Sequence, residues 1–125
     1  MSNAIESFGS FFKSRRIELG YTLRRFCQKY EHDPANLSRM ERGLLPPPQK
    51  RGKLEEYTKQ LELKEGSDEW YQFFDLAHIA SGTIPEEILD DSKLVGKLPI
   101  LFRTIRGQKA TDEQLDALIE KIRRA

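Results

Sequence analysis

The chain of 125 residues predicts an all-α protein. Three observations carry that prediction. Apolar residues recur at helical spacing in one stretch after another. Capping residues stand before several of these stretches and glycines stand after several. The alternating pattern of a half-buried strand appears nowhere.

The first helix is expected over residues 7–19. Phe8, Phe11, Phe12 and Leu19, with Ile17, give it an apolar side, and Lys13, Arg15 and Arg16 lie between them. Gly20 ends it, at the position where a left-handed backbone is needed. Thr22 is the N-cap of the second helix. Leu23, Phe26, Cys27 and Tyr30 follow at helical spacing, while Arg24, Arg25, Gln28 and Lys29 form the wet face. Leu23 is open to either core or surface, being the first residue inside. Cys27 suits a small buried residue at a close helix crossing better than a reactive thiol, which needs an exposed site beside a base or cation.

Residues 31–33, Glu-His-Asp, make the turn, with His32 as semi-buried filling. Asp33 followed by Pro34 is a capping carboxylate before a proline at the first helical position. The third helix then runs to about Arg42 and stops at Gly43, with Leu37 and Met40 facing one way and Ala35, Asn36, Arg39 and Arg42 elsewhere. Pro46-Pro47-Pro48 stiffens an extended connector. A fourth helix over residues 49–61 buries Leu54, Tyr57 and Leu61. A fifth, capped by Ser67 or Asp68, runs to about Ala80 with a stripe of Trp70, Phe73, Phe74, Ala77 and Ala80. Ile84-Pro85 starts a short helix reaching about Asp90. Lys97-Leu98-Pro99 opens the next, which Gly107 closes. Thr111 caps a last helix over residues 112–123, with acids in its first turn and bases in its last, as the helix dipole favours.

Composition narrows the class. A single cysteine excludes an internal disulfide and fits a reducing compartment. No apolar run approaches the roughly 18 residues that span a bilayer. The N-terminus lacks the basic start and apolar stretch of a signal peptide, so a cytoplasmic location is expected. Ser2-Asn3-Ala4 is open to reading as an expression remnant and carries no assigned function. Residues 1–53 hold 11 Lys/Arg and 5 Asp/Glu, residues 54–100 hold 4 and 11, and residues 101–125 hold 6 and 4. The basic front fits either a protein whose front half meets a polyanion or one that is merely dipolar.

The segment FFKSRRIELGYTLRRFCQKYEHDPANLSRMERG resembles the helix-turn-helix proteins of phage-repressor type (lambda-repressor-like, xenobiotic-response-element type). The matching features are Gly20, the Thr22-Leu23 start, the small residue at Cys27, Asp33-Pro34, and the run from Leu37 through Ser38, Arg39, Met40, Glu41 and Arg42 to Gly43. The match covers about residues 7–65. Glu31 departs from it by standing where the family usually has glycine, and His32 by standing where it usually has an aliphatic residue. The resemblance implies a five-helix lambda-repressor-like DNA-binding domain over residues 1–65, with the helix-turn-helix at 22–43. A small helical C-terminal dimerisation and regulatory region would follow over 66–125.

It also implies roles. The recognition helix, residues 33–42, would lie in the major groove with Ala35, Asn36, Ser38 and Arg39 at base edges. Ala35 suits a thymine methyl, Arg39 forks onto guanine, and Asn36 suits adenine or a phosphate. Thr22, Arg24, Arg25, Arg42, Lys50 and Arg51 would hold the DNA backbone. Arg16 and Glu41 match a family pair that joins the first helix to the third, a structural role. Ile84-Pro85-Glu86-Glu87-Ile88-Leu89, followed by Leu98-Pro99 and the residues to Ile105, looks like the tails of certain stress and mobile-element repressors. Those dimerise through these helices and pair with a zinc metallopeptidase of the HExxH type; the plainer reading is a tail that dimerises or packs with no protease. The dimerisation set is Leu98, Leu101, Phe102, Ile105, Leu115, Leu118, Ile119 and Ile122.

The expected function is a homodimeric transcriptional repressor on double-stranded DNA. The alternative is an antitoxin that binds a protein toxin and represses its own operon, with the acidic middle and the fifth helix as the toxin surface. Enzyme chemistry is not expected, and neither is a cofactor or a metal. His32 and His78 lie far apart, neither has a ligand partner at i+3 or i+4, and no nucleophile has a base at readable spacing.

Overall fold

The computed structural model describes residues 4–84, 86–107 and 111–124, and every regular element among them is a helix. Five helices, α1 (Ala4–Glu18), α2 (Leu23–Tyr30), α3 (Pro34–Glu41), α4 (Arg51–Gln60) and α5 (Asp68–Ala80), belong to a first compact unit that ends at Ile84. Three more, α6 (Glu86–Leu89), α7 (Ser92–Gly107) and α8 (Asp112–Arg124), belong to a second. None of the described helices is long and apolar enough to cross a membrane.

Local chemistry starts most of these helices where the sequence predicts. The Thr22 hydroxyl accepts from the Arg25 amide at 3.1 Å, the Asp33 carboxylate from the Asn36 amide at 3.1 Å, and the Ser67 hydroxyl from the Trp70 amide at 3.3 Å. Each such cap stabilises its helix by about 1 kcal/mol. Thr111 and Gln114 cap α8 reciprocally, side chain to amide in both directions. α1 begins three residues before the expected start, and the largest displacement is at α7. The helix expected to open at Lys97-Leu98-Pro99 begins at Ser92, because the Asp91 carboxylate accepts from the amides of Lys93 and Leu94. Pro99 therefore sits inside α7, where it has no N–H to offer the preceding turn.

Aromatic rings around α1 build the core of the first unit. Phe8, Phe12 and Phe26 are 0% exposed. Phe12 meets Phe26 of α2 and Tyr57 of α4 edge-on, with centroids 5.7 and 5.1 Å away. Phe8 meets Phe73 of α5 at 5.1 Å, and Phe74 and Ala77 of α5 are buried beside it. The stripe on α5 is thus part of the first core, and the boundary expected near residue 65 falls after Ile84. Two aromatic residues cannot leave a shared core without exposing their faces, so α5 stays with α1.

The crossing of α1 and α3 depends on Gly9. A Cβ there would stand 2.5 Å from the Glu41 carbonyl oxygen and clash with that of Met40. The backbones approach so closely only because α1 carries no side chain at this point. Between α2 and α3, Glu31 adopts φ +58. Its amide and that of His32 both reach the Cys27 carbonyl, the hydrogen-bond closure of a left-handed helix end. His32 stacks on Phe26 with centroids 5.7 Å apart, and its Nε2 lies 2.6 Å from Gln60 Oε1. The histidine supplies the apolar contact that commonly seals such an end. A second left-handed residue, Glu62 at φ +53, closes α4, and Arg15 donates to the Leu61 and Glu62 carbonyls there.

These two backbone positions predict stability changes of opposite sign. Gly9→Ala should destabilise by roughly 1–3 kcal/mol, because the backbone clash outweighs alanine's better helix propensity. Glu31→Gly should stabilise by roughly 0.5–1 kcal/mol, since a left-handed backbone strains a non-glycine residue by about 1–2 kcal/mol and glycine's freedom in the unfolded chain returns part of that. Urea denaturation of the two variants checks both, and midpoints that move the same way contradict the account.

Candidate nucleic-acid interface

The pose of α3 is set from behind. Arg16 of α1 donates from Nε to Glu41 Oε2 and from Nη2 to Glu41 Oε1, both at 2.8 Å, and from Nη1 to the Tyr21 carbonyl at 2.8 Å. The two side chains are 6% and 4% exposed. Removing two charges from water costs several kcal/mol per ion, so such a pair persists only with good geometry and satisfied remaining donors. Two parallel bonds plus the Tyr21 carbonyl meet that requirement. The hydrogen bond to Glu41 holds the Arg16 guanidinium above its ordinary pKa, although burial pulls the other way. Among the described residues no buried side-chain nitrogen or oxygen lacks a partner.

With Leu37, Met40 and Glu41 turned inward, α3 shows its other face to solvent. Pro34, Ala35, Asn36, Arg39 and Arg42 are exposed and Ser38 is half-buried. The start of the helix is small and its end is cationic. Arg39 Nη1 donates to Asn36 Oδ1 at 3.1 Å, and Arg42 Nε donates to the Ser38 carbonyl at 3.3 Å. Arg39 and Arg42 therefore stand at the end of the helix where the backbone dipole favours positive charge.

The residues expected to grip a phosphate backbone divide into two sets. Thr22, Arg24, Arg25, Arg42 and Lys50 are exposed, although the Thr22 hydroxyl already caps α2. Arg51 is engaged elsewhere. Its Nε lies 3.2 Å from Glu55 Oε1, and its guanidinium sits 3.8 Å from the Phe74 ring centroid on α5. Sequence spacing alone hides that engagement, because Phe74 becomes a neighbour only through packing. Lys29, read only as part of the wet face, bonds the Tyr21 hydroxyl and lies over the Tyr21 and Tyr30 rings at 5.1 and 5.4 Å. That hydrogen bond raises its pKa. Cys27 is buried, and burial pushes its thiol up, away from the thiolate that reactivity requires.

In the second unit Leu98 and Leu101 are half-buried, while Phe102 and Ile119 are exposed. The side chains of Ile105, Leu115, Leu118 and Ile122 lie outside the described residues. Leu89, Val95 and Ile100 are further exposed apolar residues there. Comparison with protein-family models, with curated proteins and with solved structures finds no match to the chain.

Removing one partner of the pair that holds α3 leaves a buried charge uncompensated. Glu41→Ala should therefore cost about 3–5 kcal/mol of stability. Replacing both Arg16 and Glu41 by Met and Leu should cost clearly less than that single change, since buried ion pairs roughly break even with apolar groups of similar volume. Chemical denaturation of the single and double variants tests this, and a double variant as unstable as Glu41→Ala contradicts it.

Proposed function

We propose that the protein is a sequence-specific DNA-binding transcriptional regulator, a repressor that acts as a homodimer on a palindromic operator. In this reading α2 and α3 form a lambda-repressor-like helix-turn-helix, with α3 as recognition helix. The observation that carries it is the exposed face of α3, small at Ala35 and cationic at Arg39 and Arg42, on a helix anchored from behind by a buried ion pair. A major groove about 12 Å wide admits such a helix. Ala35 touches a thymine methyl and Arg39 forks onto guanine O6 and N7, with Asn36 and Ser38 beside them on the same helix. Arg24, Arg25, Arg42 and Lys50 neutralise phosphates, and the amides at the start of α2 add donors beside Thr22. Arg51 is the weakest member, since Glu55 and Phe74 already hold it.

One recognition helix buries little surface, so two half-sites about 34–36 Å apart on a dimer are expected. The exposed apolar residues of the second unit, Ile100, Phe102 and Ile119 among them, supply a surface that a second copy would cover. The same surface suits a partner protein, which keeps the antitoxin reading, with regulation by a toxin or a metallopeptidase, as the competitor.

If about six phosphates are neutralised per dimer, log K against log salt should fall with a slope near −5. Titration of binding to duplexes selected from random DNA measures it. A flat slope, or selected sequences without two-fold symmetry, counts against the homodimeric repressor. A stable complex with a different protein and no operator binding favours the antitoxin.

A further inference from the structure

The exposed face of α3 carries a polar contact between two of its own side chains, Arg39 Nη1 on Asn36 Oδ1, 3.1 Å apart and one helical turn along. An arginine has donors only, so the atom it meets must be the amide oxygen and not the amide nitrogen. That bond carries a formal charge on its donor, which makes it roughly twice as strong as a bond between neutral groups. An adenine amino group competing for the same oxygen offers only a neutral donor. The oxygen of Asn36 is therefore held by Arg39 in preference to a base.

Arg39 loses little by the arrangement. Four of its five donors remain, and the edge formed by Nε and Nη2 still matches guanine O6 and N7. It gains orientation. A free arginine side chain has many rotamers to lose on binding, and one already tied to its own helix has fewer. The backbone beneath is fixed as well: the Asn36 amide is bonded to the Asp33 carboxylate, and Leu37 and Met40 are buried.

We infer that Asn36 is a positioning residue and not a base reader, and that it acts by holding the Arg39 guanidinium on guanine. This rests on the DNA-binding reading above and narrows it, because a guanine under Arg39 becomes the dominant letter of the half-site and no letter belongs to Asn36 alone.

The test is selection of bound duplexes from random DNA by the full chain, followed by affinity for guanine-substituted sites, for wild type, Asn36→Ala, Asn36→Asp, Arg39→Ala and the double alanine variant. Both positions are exposed, and thermal melts of each variant serve as the folding control. Asn36→Ala should keep the selected letters and lower discrimination for the guanine by about threefold to tenfold, the worth of one hydrogen bond. Asn36→Asp keeps an oxygen for Arg39 and should retain that discrimination while weakening all binding through repulsion of phosphates. The double variant should match Arg39→Ala within about twofold, because coupled residues are not additive. Loss of a different letter in Asn36→Ala, or losses that multiply in the double variant, overturns the inference while leaving DNA binding intact. No selected motif for the wild type removes the DNA-binding reading itself, and the inference with it.

Discussion

A buried bidentate ion pair, Arg16 on Glu41, decides where α3 stands relative to α1. It links residues 25 apart in the chain through two bonds of 2.8 Å. Its geometry leaves little freedom, because a planar guanidinium satisfies both carboxylate oxygens in one orientation only. Everything on the outer face of α3 inherits that orientation. The pair is costly to bury, and an apolar substitute could hold the helices equally well; what it adds is direction.

Direction also needs closeness. The Gly9 backbone passes so near the carbonyls of Met40 and Glu41 that α1 gives up helix propensity there. Phe8, one residue away, turns into the core and carries α5 with it. The same short stretch of α1 thus sets the approach to α3 on one side and the attachment of α5 on the other. On the far side of α2, Glu31 accepts a left-handed backbone and His32 seals the turn against Phe26. The turn therefore closes with Glu31 bearing local backbone strain and His32 supplying the sealing contact by ring stacking.

Much of this was legible from residue order. Thr22, Asp33, Ser67 and Thr111 are caps whose partners lie three residues along, so no tertiary knowledge is needed to place them. The inward Leu37 and Met40, and with them the outward Asn36 and Arg39, follow from the helical period. Asp91 was legible in principle, but Pro99 eight residues later is the louder signal and drew the expected start of α7 to itself. The engagement of Arg51 on Phe74 and of Arg15 on the end of α4 had no local signal at all.

Residue order settles the all-α class, most of the helix starts, the inward stripes and the composition of the exposed face of α3. Each depends on interactions within about four residues, which capping chemistry and the 3.6-residue period govern. Packing across the fold decided that α5 joins the first core, that Gly9 is the contact point of two backbones, and that the Arg51 guanidinium lies on the Phe74 ring. Those outcomes depend on which surfaces meet across tens of residues, and packing, unlike periodicity, leaves no mark at a fixed spacing in the chain.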